Sequence, residues 1–232
     1  MANMSFVRNA MKKTVCNICD LTPFTLQDFA DVPSCIVWFS GCNMLCEYCY
    51  NLELVFESKK SISQDTIFAF LQTRTGKLEG VVLCGGEPTL YQDLPNFCKK
   101  IKNLGFKIKL DTNGANPEIL KSVLPFVDFV ALDFKAPKSK FKAITNSQLF
   151  DEFEKSFDIL STCQIDFEVR TTYHSELLSD DDLQLMTDFL QNKNYQKPWY
   201  IQNFIQINRD QKILKKSKKF QNFGFNLKVL ER

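Results

Sequence analysis

The length, composition and charge of the chain exclude several classes of protein. Its 232 residues, 44% of them hydrophobic, can supply the core of one α/β domain. We expect a single domain over 1–232, with a core at about 20–205 and a C-terminal extension at 206–232. A net charge of +2 gives no electrostatic reason to expect nucleic acid as a partner. Because the sequence has neither a membrane-length apolar run nor a signal-peptide pattern, we expect a cytoplasmic protein.

Short β-rich runs alternate with longer amphipathic stretches, a pattern typical of right-handed βαβ units around a parallel sheet. Near-continuous apolar runs predict six strands, at 35–40, 80–84, 106–111, 129–133, 167–171 and 199–204. Apolar residues at helical spacing predict five helices, at 63–72, 94–104, 116–124, 146–160 and 180–191. Ser179 and the acidic residues after it are typical of the first turn of the last helix. We therefore expect an α/β fold, an open, partial parallel barrel of about six units.

Three cysteines follow the first predicted strand with the spacing C-x3-C-x2-C: Cys42, Cys46 and Cys49. Three thiolates leave one iron of a four-iron cluster open, and an open metal position can bind a substrate or cofactor. Zinc or simple burial is the alternative, but zinc motifs usually bring a second pair of ligands downstream. The chain has one histidine, His174, and no cysteine pair after Cys49, so the motif favours an iron–sulfur cluster.

Gly85, Gly86 and Glu87 directly follow the second predicted strand, at the edge where ligands of α/β barrels bind. The glycines would let a ligand approach the backbone closely, and Glu87 could fix a cationic group. An isolated Gly-Gly-Glu-Pro segment is more often a tight turn. The cysteine motif one strand earlier makes the ligand interpretation the stronger one.

Charged side chains follow the next three predicted strands. Asp111 and Asp133 could hold a cation together with hydroxyl and carbonyl oxygens, although a turn explains Asp111 about as well. Lys135 and Arg170 would place positive charge beside a ligand carboxylate or ribose; the alternative is exposed solubilising charge. Their common position at strand ends favours the ligand role.

Together these motifs resemble those of radical S-adenosylmethionine (SAM) enzymes and, more narrowly, the glycyl-radical-enzyme activating enzymes. The resemblance rests on five segments, at 42–51, 85–90, 111–114, 131–135 and 170–172. Two further segments, 22–28 and 109–117, are similar to the anaerobic ribonucleoside-triphosphate reductase activating proteins.

The resemblance implies a 4Fe-4S cluster on the three cysteines, with SAM on its fourth iron. An electron from flavodoxin or ferredoxin would cleave SAM, and a 5′-deoxyadenosyl radical would take a hydrogen atom from a glycine of a partner, anaerobic ribonucleotide reductase. By matched motif, the residues expected to contact SAM are Tyr48 at the adenine, Gly85, Gly86 and Glu87 at the methionine amine, and Lys135 and Arg170 elsewhere on the cofactor. Asp111, Thr112 and Asp133 match a monovalent-cation site of the related pyruvate formate-lyase activator.

Departures from the family pattern keep other functions open. Tyr50 stands where many activators have histidine, and 202–204 lacks the histidine of the pyruvate formate-lyase activator. The alternatives are activation of another glycyl-radical enzyme, small-molecule chemistry like that of the 7-carboxy-7-deazaguanine synthases, and an iron–sulfur electron carrier. We interpret His174 as a packed or surface residue.

The remaining sequence features are assigned structural roles. The lysines of 212–219 predict a solvated helix, and 220–230 predicts a final strand. For Cys16 and Cys19, an auxiliary metal site is the less favoured alternative to a structural role. The cysteines interpreted as structural thiols are Cys16, Cys19, Cys35, Cys84, Cys98 and Cys163.

Overall fold

The computed structural model describes residues 16–56, 61–204, 220 and 229–231. The chain divides into two compact units. The first contains the chain up to Asn43, Asn51–Thr112 and Asn116–Val130; the second contains Met44–Tyr50, Asn113–Ala115 and the chain from Ala131 onward. None of the described helices combines the length and the apolar character needed to cross a bilayer.

Among the described residues, the first unit contains four complete strands and four α-helices. Its strands are β1 (Ile18–Thr25), β2 (Ser34–Phe39), β3 (Gly80–Gly85) and β4 (Lys107–Thr112). Its helices are α1 (Leu52–Val55), α2 (Gln64–Gln72), α3 (Leu94–Asn103) and α4 (Pro117–Val123). β2, β3 and β4 pair in parallel, whereas β1 pairs with β2 antiparallel. Proline at position 23 suits β1, because an edge strand does not need every N–H for pairing.

β5 (Phe129–Asp133) begins at the end of the first unit, and the second unit follows it. The later elements are α5 (Lys138–Thr145), α6 (Phe150–Thr162), β6 (Asp166–Tyr173), α7 (Asp180–Asn192), β7 (Trp199–Asn203) and β8 (Val229–Glu231). β6, β7 and β8 pair in parallel. The fold is α/β with a mostly parallel sheet that is not closed, which confirms the predicted fold class.

All six predicted strands are present, shifted by at most two residues at either end. Ser179 caps α7 in a capping box with Asp182, as its acidic first turn predicted. The predicted helix at 146–160 was wrong at its start: Asn146 has a left-handed φ of 53° and ends α5, and α6 begins at Phe150. Asparagine tolerates that conformation, so it stops a helix rather than starting one.

Five phenylalanine rings pack together in the second unit. Their centroids lie 4.9 to 6.5 Å apart, in tilted, stacked and edge-on pairs. This packing fixes α6 and α7 against the turn that follows β5. The rings are those of Phe134, Phe150, Phe153, Phe157 and Phe189. The predicted helix at 212–219 lies outside the described residues, and β8 overlaps only the end of the predicted final strand, at 229–230.

Candidate functional site

The loop after β2 carries the three predicted cluster cysteines and is anchored at both ends. Gly41 has a φ of 85°, and its N–H donates to the carbonyl of Leu54 in α1 at 2.6 Å. Farther along, the N–H groups of Leu45 and Glu47 donate to the last carbonyls of α5, each at 2.9 Å. Carbonyls at a helix C-terminus have no partner within the helix, so the loop and the helix end satisfy each other. Both anchoring helices are absent from the sequence-based prediction.

The donor set of this loop fits an iron–sulfur cluster. All nine cysteines lie in the described part of the chain and are present as thiols. Burial raises the pKa of Cys46 to about 11, while the nearby Lys135 ammonium acts to lower it and so favours the thiolate. Within the described ranges, no three His, Cys, Asp or Glu side chains form a ligand set for one metal ion. A cubane does not need such a set, because each thiolate binds a different iron.

Three charged side chains form a compact group at the ends of β5 and β6. Asp133 Oδ2 lies 3.1 Å from Lys135 Nζ, and its Oδ1 lies 2.9 Å from Arg170 Nη2. Burial acts to raise the pKa of Asp133, but the guanidinium and the ammonium outweigh it and hold the pKa below its usual value. The carboxylate in turn overcomes the effect of burial on Lys135 and raises its pKa. Two cationic side chains from neighbouring strand ends thus share the Asp133 carboxylate.

Tyr48 is the best-buried aromatic side chain of the cysteine loop. It is 6% exposed, and its hydroxyl has no hydrogen-bond partner of good geometry among the described residues. Burial raises its pKa well above the usual value, although Lys135 opposes this, and the Cys46 thiol lies close enough to interact with it. Tyr48 therefore lies in the immediate surroundings of the Cys46 thiol and the Lys135 ammonium.

The Gly-Gly-Glu segment packs directly on the backbone that leads into the cysteine loop. Gly85 lies opposite Phe39 in the β2–β3 pairing, and the N–H of Gly86 donates to the Phe39 carbonyl at 2.8 Å. The N–H of Glu87 donates to the Gly41 carbonyl, also at 2.8 Å. A Cβ would come within 2.2 Å of a Phe39 oxygen at Gly85 and within 2.0 Å of the Gly41 oxygen at Gly86. The glycines are therefore required by the close approach of two backbone segments.

The side chain of Glu87 is fully buried and held by hydroxyl and backbone donors. Its Oε1 accepts from the N–H and hydroxyl of Thr89, at 3.0 and 2.6 Å, and from the hydroxyl of Thr112, at 2.7 Å. Thr112 thus joins the end of β4 to the Gly-Gly-Glu segment. The contacts of Glu87, Gly85 and Gly86 with a methionine amine stay predictions.

Lys109 is a residue that the sequence-based prediction missed. It is 4% exposed, its Nζ lies 3.1 Å from Asp111 Oδ1, and it donates to the backbone carbonyl of Asp28. The available signal was a lysine within an apolar strand. Because it stands two residues before an aspartate, both side chains lie on the same face of the strand. Both acids of the predicted cation site, Asp111 and Asp133, therefore have cationic side-chain partners.

His174 and Tyr50, the two other aromatic or imidazole side chains noted in the sequence, differ in burial. His174 is fully buried; its Nδ1 accepts from the N–H of Glu176 at 3.1 Å, and its ring contacts Phe204. This confirms a packed histidine. Tyr50, at the position where activators often have histidine, is 44% exposed.

Replacing Asp133 with alanine is expected to lower the free energy of unfolding by about 3 kcal/mol, because Lys135 and Arg170 would lose the carboxylate they share. Urea denaturation of the unreconstituted protein measures this change. The matched control is Asp151→Ala, which removes an ion pair with Lys138 of similar length, 2.8 Å, between side chains that are each 67% exposed. That variant is expected to change stability very little. Equal losses in both variants would contradict the prediction.

Known proteins resemble this chain in sequence and in fold. MJ1227 of Methanocaldococcus jannaschii, classed by inference as a glycyl-radical enzyme activating enzyme, is 29% identical over 182 residues, 75% of this chain and 74% of that protein. A 7-carboxy-7-deazaguanine synthase of Thermococcus kodakarensis is 28% identical over 125 residues, 45% of this chain and 49% of that protein. Streptococcus suis SuiB bound to SAM has the same fold, with a TM-score of 0.62 and 15% identity over 82% of this chain and 48% of that one.

The family assignment comes from a match over most of the chain. The family model of the radical SAM superfamily matches residues 36–189. This stretch includes all the predicted site residues, from Cys42 to Arg170. The chain belongs to the radical SAM superfamily.

Proposed function

We propose that this chain activates a glycyl-radical enzyme, using SAM and a 4Fe-4S cluster held by Cys42, Cys46 and Cys49. The observation that carries the proposal is the surroundings of Cys46: its thiol lies beside the buried Tyr48 hydroxyl and close to the Lys135 ammonium, which favours the thiolate, and Lys135 shares the Asp133 carboxylate with Arg170. Likeness to MJ1227 over three quarters of the chain supports activation of a protein.

The residues of the chain would bind and orient, while the cofactor supplies the bond-breaking chemistry. When bound and reduced by one electron, the cluster and SAM supply a 5′-deoxyadenosyl radical. Lys135 and Arg170 would bind the anionic or ribose portion of SAM, because Lys135 lies close enough to Cys46 to favour its thiolate and Arg170 contacts the same carboxylate as Lys135. Tyr48 would pack on the adenine. The rigidly bonded Gly85, Gly86 and Glu87 would present backbone and carboxylate oxygens to the methionine amine.

Anaerobic ribonucleotide reductase is the proposed partner, on the resemblance of 22–28 and 109–117 to its activating proteins. Flavodoxin or ferredoxin is the proposed electron donor. Nine cysteines present as thiols support a reducing compartment, so we further propose a cytoplasmic location and one catalytic domain over 1–232. The second candidate function is small-molecule chemistry of the 7-carboxy-7-deazaguanine synthase class, which the partial likeness to such a synthase supports.

The test is anaerobic reconstitution with iron and sulfide, followed by incubation with reductant, SAM and a candidate anaerobic ribonucleotide reductase. Electron paramagnetic resonance detects a glycyl-radical doublet on the partner, and chromatography measures 5′-deoxyadenosine. We expect both products, in amounts that rise together. Cleavage of SAM without the doublet would reject this partner and direct the test to other glycyl-radical enzymes and to the synthase substrate. A protein that holds no cluster and cleaves no SAM would contradict the proposal.

A further inference from the structure

A buried ammonium lies next to one acid of the predicted cation site. Lys109 pairs with Val82 in the β3–β4 register and is 4% exposed. Asp111 lies two residues farther along β4, on the same face of the strand. Removing an ammonium from water is unfavourable unless partners replace its hydration, and Asp111 and the Asp28 carbonyl are those partners.

The partners of Lys109 are the kind of oxygen atoms that also bind a small cation. Asp111 supplies a carboxylate oxygen at 3.1 Å, and Asp28 supplies a backbone carbonyl. Hard cations take carboxylate and carbonyl oxygens. A lysine ammonium carries the same single charge as K⁺ or Na⁺ and is close to K⁺ in size. It can therefore balance the charge of the Asp111 carboxylate in place of a bound ion, although Asp111 Oδ1 lies within ion-pair distance of it without hydrogen-bond geometry.

Thr112 and Asp133, the other residues of the predicted cation site, contact other side chains of the protein. The Thr112 hydroxyl donates to Glu87 Oε1 at 2.7 Å. The two oxygens of Asp133 lie 3.1 and 2.9 Å from Lys135 and Arg170. Side chains of the protein thus balance the charge of both acids, and this arrangement does not fit a requirement for a monovalent cation.

We propose that the Lys109 ammonium does the work of the monovalent cation found in the related pyruvate formate-lyase activator, so that this chain needs neither K⁺ nor Na⁺. The inference rests on the proposed function only in that SAM cleavage is one of its readouts. Lys109 acts as a positioning residue: it holds the Asp111 carboxylate and through it the end of β4. A smaller side chain in place of Lys109 removes the ammonium and leaves space for an ion. Such a variant is expected to require K⁺ or Na⁺.

The test compares three variants in KCl, NaCl and choline chloride at equal ionic strength. SAM cleavage without a partner enzyme is measured after reconstitution, and the melting temperature is measured on the unreconstituted protein. The rate of SAM cleavage by the wild type is expected to vary less than twofold among the salts. In choline chloride, Lys109→Ala is expected to cleave SAM at least fivefold more slowly than the wild type. In KCl this variant is expected to regain most of that rate and to have a higher melting temperature. Lys109→Met is expected to stay impaired in every salt, because its side chain fills the space. The control is Lys107→Ala, an exposed lysine of the same strand paired with Glu79, which should behave as wild type.

Two results would overturn the inference. The first is a wild-type enzyme whose cleavage falls severalfold in choline, because its own ammonium should make the ion unnecessary. The second is a Lys109→Ala variant that responds equally to all three salts. The melting temperatures decide the matter even if no SAM is cleaved, so failure of the proposed function and failure of this inference remain distinguishable. If Lys109→Ala does not fold, the salt response of the wild type and of Lys109→Met gives the answer.

Discussion

A Cys46→Ala variant is expected to fold and to lose both its iron–sulfur absorption and its cleavage of SAM. Two remaining thiolates of the motif cannot hold a cubane that uses three. The substitution removes only one sulfur from a loop whose neighbours Leu45 and Glu47 are fixed by their own backbone hydrogen bonds to α5. The measurements are iron and sulfide content, visible absorption and 5′-deoxyadenosine after anaerobic reconstitution, with the melting temperature as a test of folding.

The matched control is Cys163→Ala. That thiol is also partly buried and donates to the carbonyl of Leu160 at 3.3 Å, but it lies at the end of α6, outside the motif. It is expected to retain the full cluster and full cleavage. If Cys46→Ala kept a complete cluster, Cys46 would not be a ligand, and the buried pair Cys16 and Cys19 would become the next candidates.

Gly85→Ala is expected to be the most destabilising single-methyl substitution in the Gly-Gly-Glu segment, at about 3 kcal/mol. The new Cβ would lie 2.2 Å from the Phe39 carbonyl oxygen, and the φ of 129° is unfavourable for any L side chain. For a protein of this size, such a loss corresponds to a fall in melting temperature of roughly 10 °C. Because Phe39 and Gly41 lead into the cysteine loop, SAM cleavage is expected to fall as well.

Comparison with Gly105→Ala separates the effect of backbone strain from the effect of a steric collision of the new Cβ. Gly105 also has a positive φ, 88°, but nothing lies within 4 Å of its expected Cβ. Its substitution is expected to cost only about 1 kcal/mol and to leave the cluster unaffected. Calorimetric melting of the two variants makes the comparison. Similar melting temperatures would show that the approach of Gly85 to Phe39 does not control the stability of the segment.

The sequence predicted the repeated strand and helix order well, because apolar runs such as those of β2, β3 and β5 are local patterns that burial on both faces imposes. It missed β1, in which polar residues and a proline interrupt the apolar pattern. It also missed α5, whose Lys-Ser-Lys start has no apolar period, and it placed a helix start at Asn146 where a helix ends. A left-handed residue can begin a turn or end a helix, and its local sequence does not distinguish these cases.

The sequence by itself determined the spacing of Cys42, Cys46 and Cys49 and the position of the polar motifs after the strands, because these follow from order along the chain. Only the tertiary structure decided how the motifs are held. Thr112 reaches Glu87 across 25 residues, and Lys109 reaches Asp28 across 81. Such partners are chosen by the packing of strands that are distant in sequence, and a buried charge or hydroxyl is stable only where that packing brings it an oxygen or a donor.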